Sequence, residues 1–531
     1  MVGRKTYTPH ADPHQDPVRK QVSTGVGCKV LITTRFGNLA PQMHDSFYQH
    51  HATPLNAEDA WSLLKNQLPQ SPNQVARLDL LKDVGMKITK RCGGLPLAIK
   101  IMGGLLRTKP QTNREWEAVL NHHAWSLDGL PEELDQQLYL SYDDLSPQLK
   151  QCFLYCSLIP KGTTIEEGSI IPMWISEGFV QIRDESIPPE EVAAEYYHEL
   201  IMRNLIEPVS PFVTSHCTMH DVVHSFAEFM AREESLVLHD EQFATGGTIG
   251  LVRRLSVGST KSVLEWDLLQ KPESLRTLII SCRINFKPDA PAVKSVGPEF
   301  QASFPLAAGG GVAVTSAAFP NLTNLYLEDL CEWEDWEWDD TDGDLTAHTM
   351  AMPALMILTI SKCKLSRLPA GLASSNRHAL RTLYLFDLTN LTYVHNFPSV
   401  VELIVYNCPV LKRISGLSKL QDITITRCPN NEVLEGVPTL DKLCLEDATT
   451  ETLPGYLERV NPRYFELTCC RELYESISLY SSEWNKIRHI RTLVIDYFDP
   501  DQNSWVQLPP VTSDPSASGV HLQQVMGSNQ S

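Results

Sequence analysis

The chain has 531 residues, of which 42% are hydrophobic, and a formal net charge of -19. Its length exceeds a single core and suits about three domains, and its acidity argues against non-specific attraction to nucleic acid or to an anionic membrane surface. The apolar run from Leu95 to Leu106 is interrupted by Lys100 and falls short of the ~20 residues a membrane span needs.

The polar N-terminus carries no signal-peptide pattern. Thirteen cysteines, an odd number with no Cys-x-x-Cys pair, read as reduced thiols of a cytoplasmic protein. Residues 1–27 have no hydrophobic period and are expected to be a disordered leader. Lys29 to Arg35 then reads as a buried-type strand ending in Thr33, Thr34 and Arg35, polar groups delivered to the carboxyl edge of a parallel sheet. Asn56 is placed to cap a helix on which Asp59 lies in the first turn and Trp61, Leu64 and Leu68 recur at helical spacing. In Cys92-Gly93-Gly94-Leu95-Pro96-Leu97, two glycines allow close backbone approach and Pro96 fixes the entry of an apolar helix at Leu97 to Leu106.

These three stretches, in this order and at this spacing, resemble the nucleotide-binding (NB-ARC) domain of plant disease-resistance proteins that end in leucine-rich repeats. The next segment extends the resemblance. Ser146 is a good N-cap before Pro147, and Leu149, Cys152, Phe153 and Cys156 share one face; Leu145 to Pro160 is similar to the family's winged-helix entry. Helices are expected from Ile165 to Phe179 and Pro189 to Leu205, followed by short extended pieces from Ile206 to Thr218. Met219-His220-Asp221 then leads into a helix expected to turn Val222, Phe226, Phe229 and Met230 to the core, and it resembles the family's Met-His-Asp motif.

Further on, one pattern repeats every twenty residues: Leu380, Leu383, Leu385; Val400, Leu403, Val405; Leu420, Ile423, Ile425; Leu440, Leu443, Leu445. Apolar residues at offsets 0, 3 and 5, with Cys408 and Cys428 at offset 8, are the mark of leucine-rich repeats, which bury a shared core only by stacking. The same offsets occur at Val252, Leu275, Leu322, Leu355 (with Cys363) and Ile490. Alternation places Tyr384, Phe386, Ile404 and Tyr406 on the open strand face as an exposed aromatic and aliphatic cluster, the candidate site for a protein partner. Between two repeats, the acidic run from Glu328 to Asp344 holds Trp333, Trp336 and Trp338, read as a solvated loop with aromatic anchors rather than a dock for a basic partner.

The expected architecture is therefore multidomain. A leader (1–27) is followed by a remnant α/β nucleotide-binding fold with a helical subdomain (28–125), a winged-helix domain (126–240), a leucine-rich-repeat solenoid (250–505, with an insertion at 283–319) and a disordered tail (506–531). The resemblance implies an ADP-dependent immune switch, not an enzyme. It assigns the phosphate sensor to Arg35, the adenosine platform to Leu95 and Pro96, and the ADP phosphate contact to His220, which should stand near Pro96 across a cleft.

The sequence contains no Gly-x-x-x-x-Gly-Lys-Ser/Thr loop, the backbone cradle and lysine that hold phosphates. From this an N-terminally truncated member is expected, with ADP binding weak or lost, recognising a pathogen effector or host target through the repeats. The alternative is a repeat scaffold or decoy that binds no nucleotide. A DNA-reading winged helix is disfavoured, since Ile165 to Val180 holds Glu166, Glu167 and Glu177 and no lysine or arginine. No metal site and no catalytic residue are expected.

Overall fold

In the computed structural model the chain divides into two compact units, Met1–Pro54 and Leu55–Ser531. The described residues are 50–69, 77–126, 136–182, 187–210, 213–239, 252–258, 274–281, 295–296, 304–305, 315–316, 319–330, 333–336, 352–369, 372, 379–447, 449–477, 481–499, 504–507 and 511–512. Of the first unit, only the exposed residues 50–54 belong to this set. The expected leader and the Lys29–Arg35 strand, with Arg35, lie outside it.

The second unit is built on three hydrophobic cores among the described residues. The first is helical. Asn56 caps the Ala57–Asn66 helix by accepting from the Asp59 amide, and Trp61, Leu64 and Leu68 are buried as their spacing requires. Lys82–Arg91, Pro96–Arg107 and Asn113–Leu120 pack around Trp116, which is fully buried. Gly93 and Gly94 take φ of 61° and 70°, a left-handed turn that other residues enter at a cost. Nothing lies within 4 Å of where a Gly93 Cβ would be, so backbone turning, rather than close approach, is its role.

The second core is the winged helix. Ser146 accepts from the Leu149 amide and Pro147 opens the Pro147–Tyr155 helix, which buries Leu149, Cys152 and Phe153, with Cys156 continuing the face. Thr164–Glu166 is a strand rather than the start of a helix; it pairs antiparallel with Val213–Thr218, which pairs in turn with Glu207–Ser210. The helix begins at Glu167 and runs to Ser176, and Pro189–Met202 follows.

The two helical regions interlock. The Gln136–Asp143 helix gives Leu138 to the winged-helix core and Leu140 to the helical one. Asp144 pairs with both Lys109 and Arg203, the latter at 3.0 Å, and Asn204 donates to the Lys100 carbonyl at 2.8 Å.

The third core is the repeat solenoid, whose thirteen-stranded sheet begins at Ser235–His239 and passes through Arg254–Gly258, Thr277–Ser281, Asn324–Glu328 and Ile357–Ser361 to Tyr464–Cys469 and Thr492–Asp499. All these strands are parallel and in register. Ser504–Gln507 and Val511–Thr512 pair antiparallel on the last of them, so part of the expected disordered tail is strand; residues 513–531 lie outside the described set. The sheet also starts fifteen residues before the expected repeat boundary at 250, inside the segment assigned to the winged helix.

The repeat positions behave as their pattern demands: Leu383, Leu385, Leu403 and Val405 are fully buried. Cys408 and Cys428 satisfy loop backbone, the Cys408 amide donating to Cys428 Sγ at 3.4 Å and Cys428 Sγ to the Thr426 carbonyl at 3.3 Å. After successive strands, Asp329, Lys362, Asp387, Asn407 and Arg427 all take positive φ, and each amide reaches a carbonyl at the end of the next strand, Asp387 to Tyr406 and Asn407 to Thr426 at 2.9 Å. The acidic insertion is anchored by its rings: Trp333 and Trp336 are buried with centroids 5.2 Å apart, whereas Trp338 lies outside the described residues.

Candidate functional site: the strand face of the repeats

Strand side chains alternate, so each repeat puts one set of residues into the solenoid core and the other onto an open face. At the N-terminal end that face is covered. Ile279 and Tyr326, from the third and fourth strands, belong to the winged-helix core and are 5% and 3% exposed.

A buried polar cluster joins the same two surfaces. Glu177, at the C-terminus of the Glu167–Ser176 helix, receives Arg254 Nε at 2.8 Å and the hydroxyl of Thr277, with Asn324 Nδ2 at 3.5 Å. Arg254 also lies over the rings of Phe179 and Tyr155, at 5.0 and 5.9 Å. The carboxylate that counted against DNA reading therefore serves the repeats: an acid takes a cation from three neighbouring strands' worth of polar side chains.

The expected exposed cluster is only partly exposed. Tyr384 stacks on Phe386 with centroids 6.1 Å apart, and Phe386 meets Tyr406 at 6.4 Å, so adjacent strands do assemble the rings. Tyr384, however, is buried, and its hydroxyl donates to Glu402 Oε2 at 3.2 Å. Phe386, Ile404 and Tyr406 are half-buried. Arg427 donates to the Tyr406 hydroxyl at 2.9 Å and lies over its ring.

The same face carries acids. Glu402 and Asp422 are register partners on neighbouring strands. Burial, and after it the charges of Glu190 and Asp422, hold the Glu402 carboxyl above the usual range; burial does the same to Asp422 against the opposing effect of Lys442. Glu190 stands in the first turn of the Pro189–Met202 helix, so the winged-helix domain and the repeats bring like charges towards each other here, unlike at Glu177.

Among the residues expected to touch nucleotide, Leu95 is 45% exposed and Pro96 is exposed at the first turn of its helix. His220 is exposed at the N-cap of the Asp221–Ala231 helix, where its Nδ1 accepts from the Val222 amide at 3.3 Å. Leu95 and Pro96 belong to the helical region and His220 to the winged helix; Arg35 is outside the described residues. The helix after His220 is rotated from expectation: Val223, Phe226 and Ala227 are buried, while Val222, Phe229 and Met230 lie at its flanks.

That rotation buries His224, a residue the sequence reading passed over. Its Nε2 donates to the Ile159 carbonyl at 2.6 Å, and Nδ1 lies 3.5 Å from Glu228. Its position one turn beyond His220 is the signal that could have found it.

A family model described as the disease resistance protein winged helix domain matches residues 158–227. A putative disease resistance RPP13-like protein 1 of Arabidopsis thaliana is 34% identical over 219 residues, 40% of this chain and 20% of the relative. The disease resistance protein RPM1 of Arabidopsis thaliana is 34% identical over 39% of this chain and 23% of its own length. The putative disease resistance protein RGA1 of Solanum bulbocastanum is 31% identical over 48% and 25%. The matched region thus spans a fifth to a quarter of these relatives. No described helix is long and apolar enough to cross a membrane.

Proposed function

Because the chain belongs to the plant disease-resistance proteins, we propose that it is a cytoplasmic immune receptor that recognises a protein partner, a pathogen effector or a host target, through the strand face of its repeats. The observation that carries this reading is the division of that face: its first strands are sealed by the winged helix around Glu177 and Tyr326, while Phe386, Ile404 and Tyr406 stay accessible beyond the seal. Partly exposed aromatic clusters are the usual anchors of protein interfaces.

The test is expression in leaf tissue of the receptor carrying Phe386→Ala with Tyr406→Ala, at matched protein level. The reading expects the defence response to be lost; a response equal to the parent's rejects it.

Within this reading the chain keeps one wall of an adenine-nucleotide site. Exposed Leu95 and Pro96 offer an apolar ledge. The His220 ring, with Nδ1 engaged as an acceptor, carries its neutral-form proton on Nε2, a donor suited to a phosphate oxygen. These features fit ADP. ADP, when bound, contributes the phosphate charge that ties the winged helix to the nucleotide-binding region.

Phosphoryl transfer needs a backbone cradle, its lysine and a held Mg²⁺, and the sequence encodes no such loop. The expected result is therefore weak ADP binding, abolished by His220→Ala in calorimetric titration, and no phosphate release from ATP. Mg²⁺-dependent turnover sensitive to His220→Ala overturns this. Partner binding without any ADP affinity supports the scaffold or decoy reading.

A further inference from the structure

We propose that the strand face beside the first turn of the Pro189–Met202 helix, walled by Glu190, Glu402, Asp422, Phe386 and Tyr406, binds a basic extended segment of a protein partner. The proposal rests on the reading of the strand face as the recognition surface and names the chemistry of what it takes. Four observations lead to it.

Glu402 and Asp422 face outward in register on adjacent parallel strands, which sets their backbones ~4.8 Å apart; Lys442, the register partner of Asp422 on its other side, offsets part of the Asp422 charge without an ion pair to it, and Glu402 has no such neighbour among the described residues. The two donors that reach Glu402, Tyr384 at 3.2 Å and Thr382 at 3.4 Å, both bond Oε2, so Oε1 has no donor among the described residues. The rings of Phe386 and Tyr406 are in contact at the other end of the Glu402 strand and its neighbour, and one guanidinium of the chain itself, Arg427, lies 5.5 Å from the Tyr406 centroid, showing the kind of group this ring attracts. Finally, no set of three or more acidic, His or Cys side chains among the described residues is arranged to hold a metal ion.

Like charges crowded on one face raise the free energy of the unbound receptor, and an opposite charge brought by a partner removes that cost and steers its approach. Side chains on one face of an extended segment recur every ~6.6 Å, and Glu402 and Tyr406 are four residues apart on one strand, so two such steps carry the segment from an arginine at the Glu402–Asp422 pair to another at the aromatic pair. The shared chemistry is a guanidinium or ammonium held between carboxylates and rings.

The experiment uses the full chain and a fluorescein-labelled hexapeptide of alternating arginine and valine, with glutamine and glutamate versions as controls, followed by fluorescence anisotropy. Binding of the arginine peptide is expected to weaken roughly ten-fold or more with Glu402→Gln plus Asp422→Asn, to fall with added salt, and to be unchanged by Glu435→Gln, at the end of the Val433–Glu435 strand in a separate three-stranded sheet. Circular dichroism melts establish that each variant is folded.

Arginine-peptide affinity that is equal in the parent and the double amide overturns the proposal, as does equal binding of the glutamine peptide. Phe386→Ala with Tyr406→Ala separates the two levels. If the ring variant abolishes partner-dependent defence while the amide variant leaves it intact, the strand face is the recognition surface and the basic segment is wrong. If neither variant affects defence, the recognition reading itself fails.

Discussion

Glu177 shows how much one side chain can decide. Its side chain is 5% exposed and that of its partner Arg254 11%, so both charges have left most of their water, and their mutual geometry, the hydroxyl of Thr277, Asn324 and a second ion pair from Arg254 to Glu234 at 3.2 Å compensate them. Glu177→Ala leaves the guanidinium with the half-exposed Glu234 as its remaining carboxylate and is expected to destabilise the chain by up to about 3–5 kcal/mol, read from urea unfolding; a loss under about 1 kcal/mol contradicts the buried-pair account. Asp422 is the opposite case. Its folded carboxyl is held above the usual range by burial, so the ionised form opposes folding: the cost is full above the raised value and disappears as pH falls through it and then below the unfolded value. Asp422→Asn should accordingly raise the Tm at pH 7 and lose that advantage in acid, whereas a lower Tm at pH 7 would show that the charge is compensated. A residue that is costly in isolation and outward-facing is a candidate for use in binding.

Elements explain what a residue cannot. The Pro96–Arg107 helix lies against Arg203 so closely that a Cβ on Gly104 would come 2.3 Å from the Arg203 carbonyl oxygen, and backbone cannot swing aside as a flexible side chain can. Gly104→Ala is expected to cost about 1–3 kcal/mol and to loosen the helical region from the winged helix, seen as faster amide exchange at Asn204 and Lys100; unchanged exchange and Tm would refute the close approach. The repeats were the most legible elements, because the offset pattern is a direct image of inward side chains. It failed at two strands for one reason. Ser235–His239 and Tyr464–Cys469 have Glu233 and Pro462 where the first apolar residue of the pattern should be, although Leu236, Leu238, Phe465 and Leu467 occupy the other two places. Caps were legible at Asn56 and Ser146, since capping is local chemistry. The phase of the helix after His220 was not, because burial of His224 depends on the Ile159 carbonyl and Glu228, contacts that the spacing of apolar residues does not encode. The hydroxyl partner of Tyr384 was hidden for the same reason: it is Glu402, in the next strand.

At the scale of the molecule, the winged helix and the solenoid share side chains, a buried ion pair and a short connection. Only Arg232, Glu233 and Glu234 separate the Asp221–Ala231 helix from the first strand of the sheet, and the Glu234 carbonyl accepts from both Arg253 and Arg254 of the next repeat. A solenoid needs an end that covers its first apolar layer, and here the winged helix supplies it. A fragment beginning at residue 252 is therefore expected to aggregate or melt without cooperativity, whereas one beginning at residue 136 melts as a single transition; size exclusion and circular dichroism distinguish them, and a monomeric, cooperative 252 fragment would show that the repeats need no such end. The arrangement also has a direction in time. Translation releases the winged helix before the first repeat, so each strand leaves the ribosome next to an edge already finished, and the nascent chain shows the cell one growing edge at a time rather than a string of unpaired ones.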